Sequence, residues 1–211
     1  MLWLREQLEE ESDRKFILAS HVYAGTRYKD FSLFNELPNE DYFQILKEHK
    51  DRIVIELAGH DHFASLRAHT EENGDGFHNI FVAPSITPWY SNNPGVTSFE
   101  IVGEDSTPKN LRSTFLNLEP TIGKDSYTPQ DELEFRELDF EAHFGVKDLS
   151  ADSILDLARR LSEDEDFHLD YLVRKLGYYP SIPDEVQKSI DILTLKEIII
   201  KTSNDSLSTW P

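Results

Sequence analysis

Two β-forming runs, 15–20 and 52–57, both lead into histidine, and a helical stretch lies between them. Lys15-Phe16-Ile17-Leu18-Ala19-Ser20 runs into His21, and the second run leads through Ala58 into Gly59-His60-Asp61-His62. Between them Asn39-Glu40-Asp41 marks a helix start, and Phe43 and Leu46 continue the helical period. A strand, a helix and a strand in so short a span predict a parallel strand pair, because the helix must cross back over the sheet. Both strands then finish at one edge, where open α/β sheets place their ligand sites. His21, His60 and His62 are thereby expected to converge. Imidazole is the commonest side-chain metal ligand and needs no deprotonated thiol. If residues 60–62 stay extended, both rings point to one side, since side chains repeat every two residues along a strand. The functional reading is part of a metal site; the structural one is a polar turn that contains two histidines.

The rest of the chain predicts a mixed α/β architecture. Residues 1–13 have helical spacing, with Met1, Leu4 and Leu8 apolar and Trp3 beside them. This helix begins at the first methionine without a capping residue, which suggests a start inside a larger architecture. Residues 64–70 and 78–83 flank the turn Glu72-Asn73-Gly74-Asp75-Gly76 and read as a hairpin. A loop rich in proline and asparagine follows, from Ala83 to Gly95. It reads as a structural connection or as a wall of the site, with Asn92 and Asn93 as polar contacts and Trp89 and Tyr90 as an apolar platform. Residues 96–102 and 111–118 read as antiparallel strands joined by a turn-rich segment, 103–110. Beyond Pro120 the composition shifts. Residues 121–130 resemble a linker, and a helical block is expected to begin at 131–140. Ser150 caps an amphipathic helix carrying Ile154, Leu157 and Leu161, and 164–176 forms another. A last helix is expected over 183–201, although the run at 197–200 suits a strand.

Charge narrows the function. Of 211 residues 40 are acidic and 21 basic, a net charge of −19. That field repels phosphate backbones and anionic membrane surfaces, so a nucleic-acid partner is disfavoured. There is no cysteine, hence no disulfide framework. No apolar run approaches the ~18 residues that a transmembrane helix needs. The N-terminus lacks the basic region and small-residue cleavage site of a signal peptide.

Gly59-His60-Asp61-His62 after a strand, preceded by a lone strand-end His21, resembles the calcineurin-like metallophosphoesterases. The loop Ala83-Pro84-Ser85-Ile86-Thr87-Pro88, followed by Asn93-Pro94-Gly95, is similar to that of the acid sphingomyelinase branch. Phe144-Gly145, Leu149-Ser150, Leu157, Leu161, Asp166 and Tyr171 resemble its C-terminal helical region. The resemblance covers about residues 1–176. It implies the C-terminal half of a metallophosphoesterase β-sandwich flanked by helices, with part of the phosphoesterase domain over 1–120 and the helical region over 121–211. It also implies a two-ion site, usually zinc, that hydrolyses a phosphodiester or sphingolipid substrate. His21 and His60 would ligate one ion and His62 the other, with Asp61 between them at most orienting. Secretion or a lysosomal location is the family expectation.

Two departures qualify this. The family places its strand-end histidine in Gly-His-x-Pro, and here the sequence is Ser20-His21-Val22-Tyr23. The family's earlier motifs, Asp-x-His, Gly-Asp and Asn-His-Asp or Asn-His-Glu, are not in this sequence. They supply the bridging aspartate and the catalytic histidine, so no catalytic residue is assigned on this chain. One reading is a metal-dependent phosphodiester hydrolase that needs a missing N-terminal half. The alternative is a non-catalytic remnant of the fold that binds or scaffolds. A mononuclear zinc site on His21, His60 and His62 is a third.

Overall fold

A computed structural model describes residues 1–10, 13–24, 26–27, 31–32, 36–88, 92–104, 106–121, 134–178 and 199–201. The chain opens with helix α1 (Leu2–Glu10), strand β1 (Phe16–Ala19), two short strands β2 (Thr26–Arg27) and β3 (Phe31–Ser32), helix α2 (Glu36–Glu48) and strand β4 (Ile53–Ala58). β1 and β4 pair in parallel, with Ala19 opposite Leu57. The strand–helix–strand reading is therefore correct, and both strands end at one edge.

Strands β5 (Ser65–Thr70) and β6 (Gly76–Val82) form the expected hairpin. β6 also lies parallel to β4, and β10 (Ile199–Lys201) adds parallel to β5. Among the described residues the main sheet therefore runs β1-β4-β6-β5-β10, with β1 on the outside. Residues 199–201 are a strand, not the end of a helix; the remainder of the helix expected there lies outside the described residues.

A second sheet is antiparallel. Strands β7 (Gly95–Val102), β8 (Thr107–Asn117) and β9 (Glu134–Asp139) lie in that order. β8 starts earlier than its apolar pattern suggests, because its polar first residues pair with the end of β7 (Val102 opposite Thr107). The helical reading of 131–140 is corrected: 134–139 is β9, paired with β8 from Asn117↔Glu134 to Arg112↔Asp139. Pairing with β8 overrides the helix preference of its glutamates, and Leu138 is fully buried there. Helix begins only at α3 (Phe140–Phe144), capped by Asp139.

Helices α4 (Ala151–Glu163) and α5 (Glu165–Lys175) follow. The side chain of Ser150 accepts from Ser153 N at 3.2 Å, and that of Asp164 accepts from Phe167 N at 2.9 Å. Each cap satisfies a helix N–H that lacks a carbonyl partner within the helix. α4 presents Ile154, Leu157, Ala158 and Leu161 to a core shared with Ile55, Leu66, Ala68, Phe81, Phe115 and Tyr171. A second core, of Leu8, Tyr42, Phe43, Leu46, Ile80 and Val82, lies where α1 and α2 meet the main sheet. Gly177 closes the end of α5 with φ +69°, and a Cβ there would come within 2.5 Å of Phe115. No described helix is long and apolar enough to cross a membrane.

Candidate functional site at the histidine edge

The parallel pair places the histidines as the strand ends dictate. Gly59 N donates to His21 O at 3.0 Å, which binds the two strand-end loops together. A Cβ on residue 59 would lie 3.3 Å from His21 Nδ1, so the glycine lets the His21 ring approach the β4 end. The rings of His21 and His60 stand 5.4 Å apart between centroids, edge to face at 83°. These two are brought together.

The loop after β4 is not extended. His60 has φ +74° and His62 φ +69°, both left-handed, so the geometry in which the two rings would share a side is not adopted. Histidine is among the residues that tolerate this region, but each such backbone persists only where its surroundings impose it. Here Asp61 N donates to Gly59 O at 2.9 Å, and Ser85 N donates to His62 O at 3.1 Å. The second contact ties the loop to the segment that begins Ala83-Pro84-Ser85.

The acids beside the histidines are held internally. Asp61, 2 % exposed, accepts from Tyr23 OH and from Arg67 Nη2, each at 2.6 Å. The Arg67 guanidinium also lies over the Tyr23 ring, 4.2 Å from its centroid. Glu56, 1 % exposed, accepts from Ser20 Oγ at 2.8 Å and Tyr42 OH at 2.9 Å, and pairs with His78 Nε2 at 2.9 Å. Burial pushes the Glu56 carboxyl up, but His78, Ser20 and Tyr42 outweigh it and hold the pKa below its ordinary value. Burial, with the Glu56 charge, drives the Tyr42 phenol far above its usual range. Burial, reinforced by His78, holds His69 well below the ordinary imidazole value.

Ser20 and Tyr23 are the two positions that depart from Gly-His-x-Pro. Both hydrogen-bond to a buried acid, so the departures are tied into the site's framework. Sequence reasoning missed Arg67 and Glu56 and left Asp61 with no partner. A short run in which Arg67 and His69 alternate with Leu66 and Ala68 was the available signal.

Asn92 and Asn93 are both buried. Asn93 donates to Gly177 O at 2.8 Å and accepts from Leu118 N at 3.1 Å, stapling its loop to the end of α5 and to β8. Asn92 donates at 3.4 Å to Thr87 O, and its Oδ1 is buried with no partner among the described residues. Trp89 and Tyr90 lie outside the described residues.

The residues present do not by themselves fit the two-ion centre that the resemblance implies. Two imidazoles face one another, but Asp61 and Glu56 are already committed to other groups. Among the described residues no group of three or more His, Asp or Glu side chains is placed to hold an ion.

No family model matches the chain. It is 25% identical over 213 residues to the human acid sphingomyelinase-like phosphodiesterase 3b, covering 94% of this chain and 46% of that one. It is 27% identical over 222 residues to rat cyclic GMP-AMP phosphodiesterase SMPDL3A (97% of this chain, 48% of that one). To Caenorhabditis elegans sphingomyelin phosphodiesterase 2 it is 25% identical over 181 residues (81% and 28%). The chain thus spans about half the length of the first two relatives. Over 81–97% of its length the chain is thus similar to acid sphingomyelinase-like and sphingomyelin phosphodiesterases, and its mixed α/β fold is consistent with that likeness.

Proposed function

We propose that this chain supplies the His21/His60/His62 part of a metal-dependent phosphodiester hydrolase centre, to be completed by a segment outside these residues. The observation that carries the reading is the His21–His60 approach, 5.4 Å between ring centroids, at the shared end of two parallel strands. Imidazole ligands of this kind suit zinc. Ions held in a complete two-metal centre supply an activated water and a clamp on the phosphoryl oxygens. This chain's own part is to bind and orient. His21 and His60 face one another, and Gly59 keeps their backbones close.

The outer face of β1 suits the completing segment. β1 is the outermost strand of its sheet among the described residues, and an open edge is a template for pairing. A groove of about 500 Å³ lies beside it, lined by Trp3, Leu4, Phe16, Ile17 and Leu18 and reaching Ser20 and Glu56. A parallel strand added there ends at the histidine edge. The substrate proposed for the completed site is a phosphodiester of the kind its relatives' names imply, including a sphingolipid. A secreted or lysosomal setting is proposed on the same likeness.

The test is hydrolysis of bis(p-nitrophenyl) phosphate and of sphingomyelin. The chain is assayed alone and with the part of a longer relative that it does not align with, each with zinc. The expected result is turnover only in the mixture, abolished by His60→Ala. Turnover that His60→Ala leaves unchanged, or no turnover in a mixture shown to associate, defeats the reading.

A second reading, a non-catalytic binding or scaffold protein, is favoured by one observation. Both acids nearest the histidines, Asp61 and Glu56, are spent on internal hydrogen bonds. It requires a mixture that associates and never turns over.

A further inference from the structure

We propose that Tyr23, Asp61 and Arg67 form a clamp that positions the His-x-His loop, so that the protein and not a bound ion orders this edge. The inference rests on the phosphodiesterase reading for what the imidazoles do. It rests on geometry for how they are held.

Three observations converge. His60 and His62 both sit in left-handed backbone, and Asp61 is the residue between them. Such conformations are strained for a residue with a side chain and persist only where neighbours over-determine them. The Asp61 side chain is itself anchored. It accepts two 2.6 Å hydrogen bonds, one from the loop after β1 and one from β5. Charge-assisted bonds of this length are strong, and the surroundings exclude competing water. Finally, Arg67 stacks on Tyr23, which closes a three-membered unit across both strand-end loops. Tyr23 precedes none of this by chance of local sequence: it is 38 residues from Asp61 and occupies a position where the family pattern has proline.

A metal centre whose loops are organised by the ion loosens when the ion is removed. This edge has an incomplete ligand set and a clamp beneath it. Its order is therefore expected to be independent of metal. The three residues touch no reacting atom; they act through the backbone of His60 and His62.

The experiment is hydrogen–deuterium exchange on the full chain in EDTA, with proton NMR of the imidazole rings. Wild type is expected to protect residues 59–63 with or without EDTA and to show a His60 ring shifted by the neighbouring His21 ring. Tyr23→Phe and Asp61→Asn should each raise exchange at 59–63 about tenfold, the scale of one lost buried hydrogen bond. Both should also erase the His60 ring shift and leave α4 protected, which a general loss of stability would not do. The proposal is overturned if the wild-type loop is protected only after zinc is added. It is also overturned if Tyr23→Phe, the variant least able to disturb folding, changes neither readout. Zinc titration of the same samples is a separate arm: absence of zinc binding counts against the proposed function and not against the clamp.

Discussion

The two faces of the main sheet are built from the same strands, and only one of them buries charged and imidazole groups beside its apolar core. On the α4 side, Ile55, Leu66, Ala68 and Phe81 meet Ile154, Leu157 and Leu161 in an apolar core. On the α2 side the same strands give Ala58, Ile80 and Val82 to the second core, but also Glu56, Arg67, His69 and His78, every one at most 2 % exposed. An apolar face needs only shape and volume. A buried polar face needs each group to have a partner, because an unpaired one costs far more than a pairing returns. The polar face is also the one that continues into the histidine edge: Arg67 reaches Asp61, and Glu56 reaches Ser20, next to His21. The buried charged and imidazole groups of these strands thus lie on the side that leads to the histidines, set within the second core.

Substitutions on the two faces should break this comparison or sharpen it. Arg67→Met leaves the Asp61 carboxylate buried without its cation and should cost about 3–5 kcal/mol in urea unfolding. Asp61→Asn combined with Arg67→Met should recover more than half of that loss, since removing both charges removes the penalty. If the double variant is as unstable as the single, the pair is not the source. Leu157→Ala on the opposite face should cost about 2–5 kcal/mol through lost burial and the cavity left behind. Hydrogen exchange at 59–63 should stay unchanged there beyond the global shift, and a selective loosening would erase the distinction between the faces.

The pH response should also separate the faces, because the deeply buried groups with shifted pKa values, Glu56 and His69, lie on the α2 side. His69 is held below its ordinary value of 6.5, so the unfolded chain binds its proton first. Its contribution is fully present above that pH and is lost as pH falls below it. Glu56 is held below 4.5, so its contribution is present above that pH and is lost on further acidification. Melting temperature should therefore begin to fall below about pH 6.5 and fall again below about pH 4.5, each step limited to about 1.4 kcal/mol per pH unit per proton. His69→Gln should remove the first step. The smallest effect is expected on the solvent-facing side of α4. Arg159→Ala deletes exposed ion pairs to Asp156 and Glu163 on α4 and should leave the melting temperature unchanged.

Much of this architecture is legible in the sequence, for local reasons. Strand runs that end on histidine and flank a helix imply the parallel pair, and Ser150 announces α4. β9 was not legible, since an acidic stretch that favours helix becomes a strand only because β8 offers an edge. The convergence of His21 and His60 follows from topology alone. The clamp does not, because Tyr23 and Asp61 are distant in sequence, and an arginine within a strand ordinarily signals a solvent-facing position. Asn93 likewise reads as a loop polar contact until its amide is seen to hold the turn after α5.

The central proposal is that His21, His60 and His62 form an incomplete ligand set. Zinc stoichiometry and affinity of the purified chain, measured by titration for wild type, His21→Ala and His60→Ala, test it most directly. The account expects weak binding short of a full two-ion complement, reduced in both variants, with tight binding only after the unaligned part of a relative is added. A full complement of tightly held zinc on the chain alone, or binding that His60→Ala leaves untouched, would contradict it.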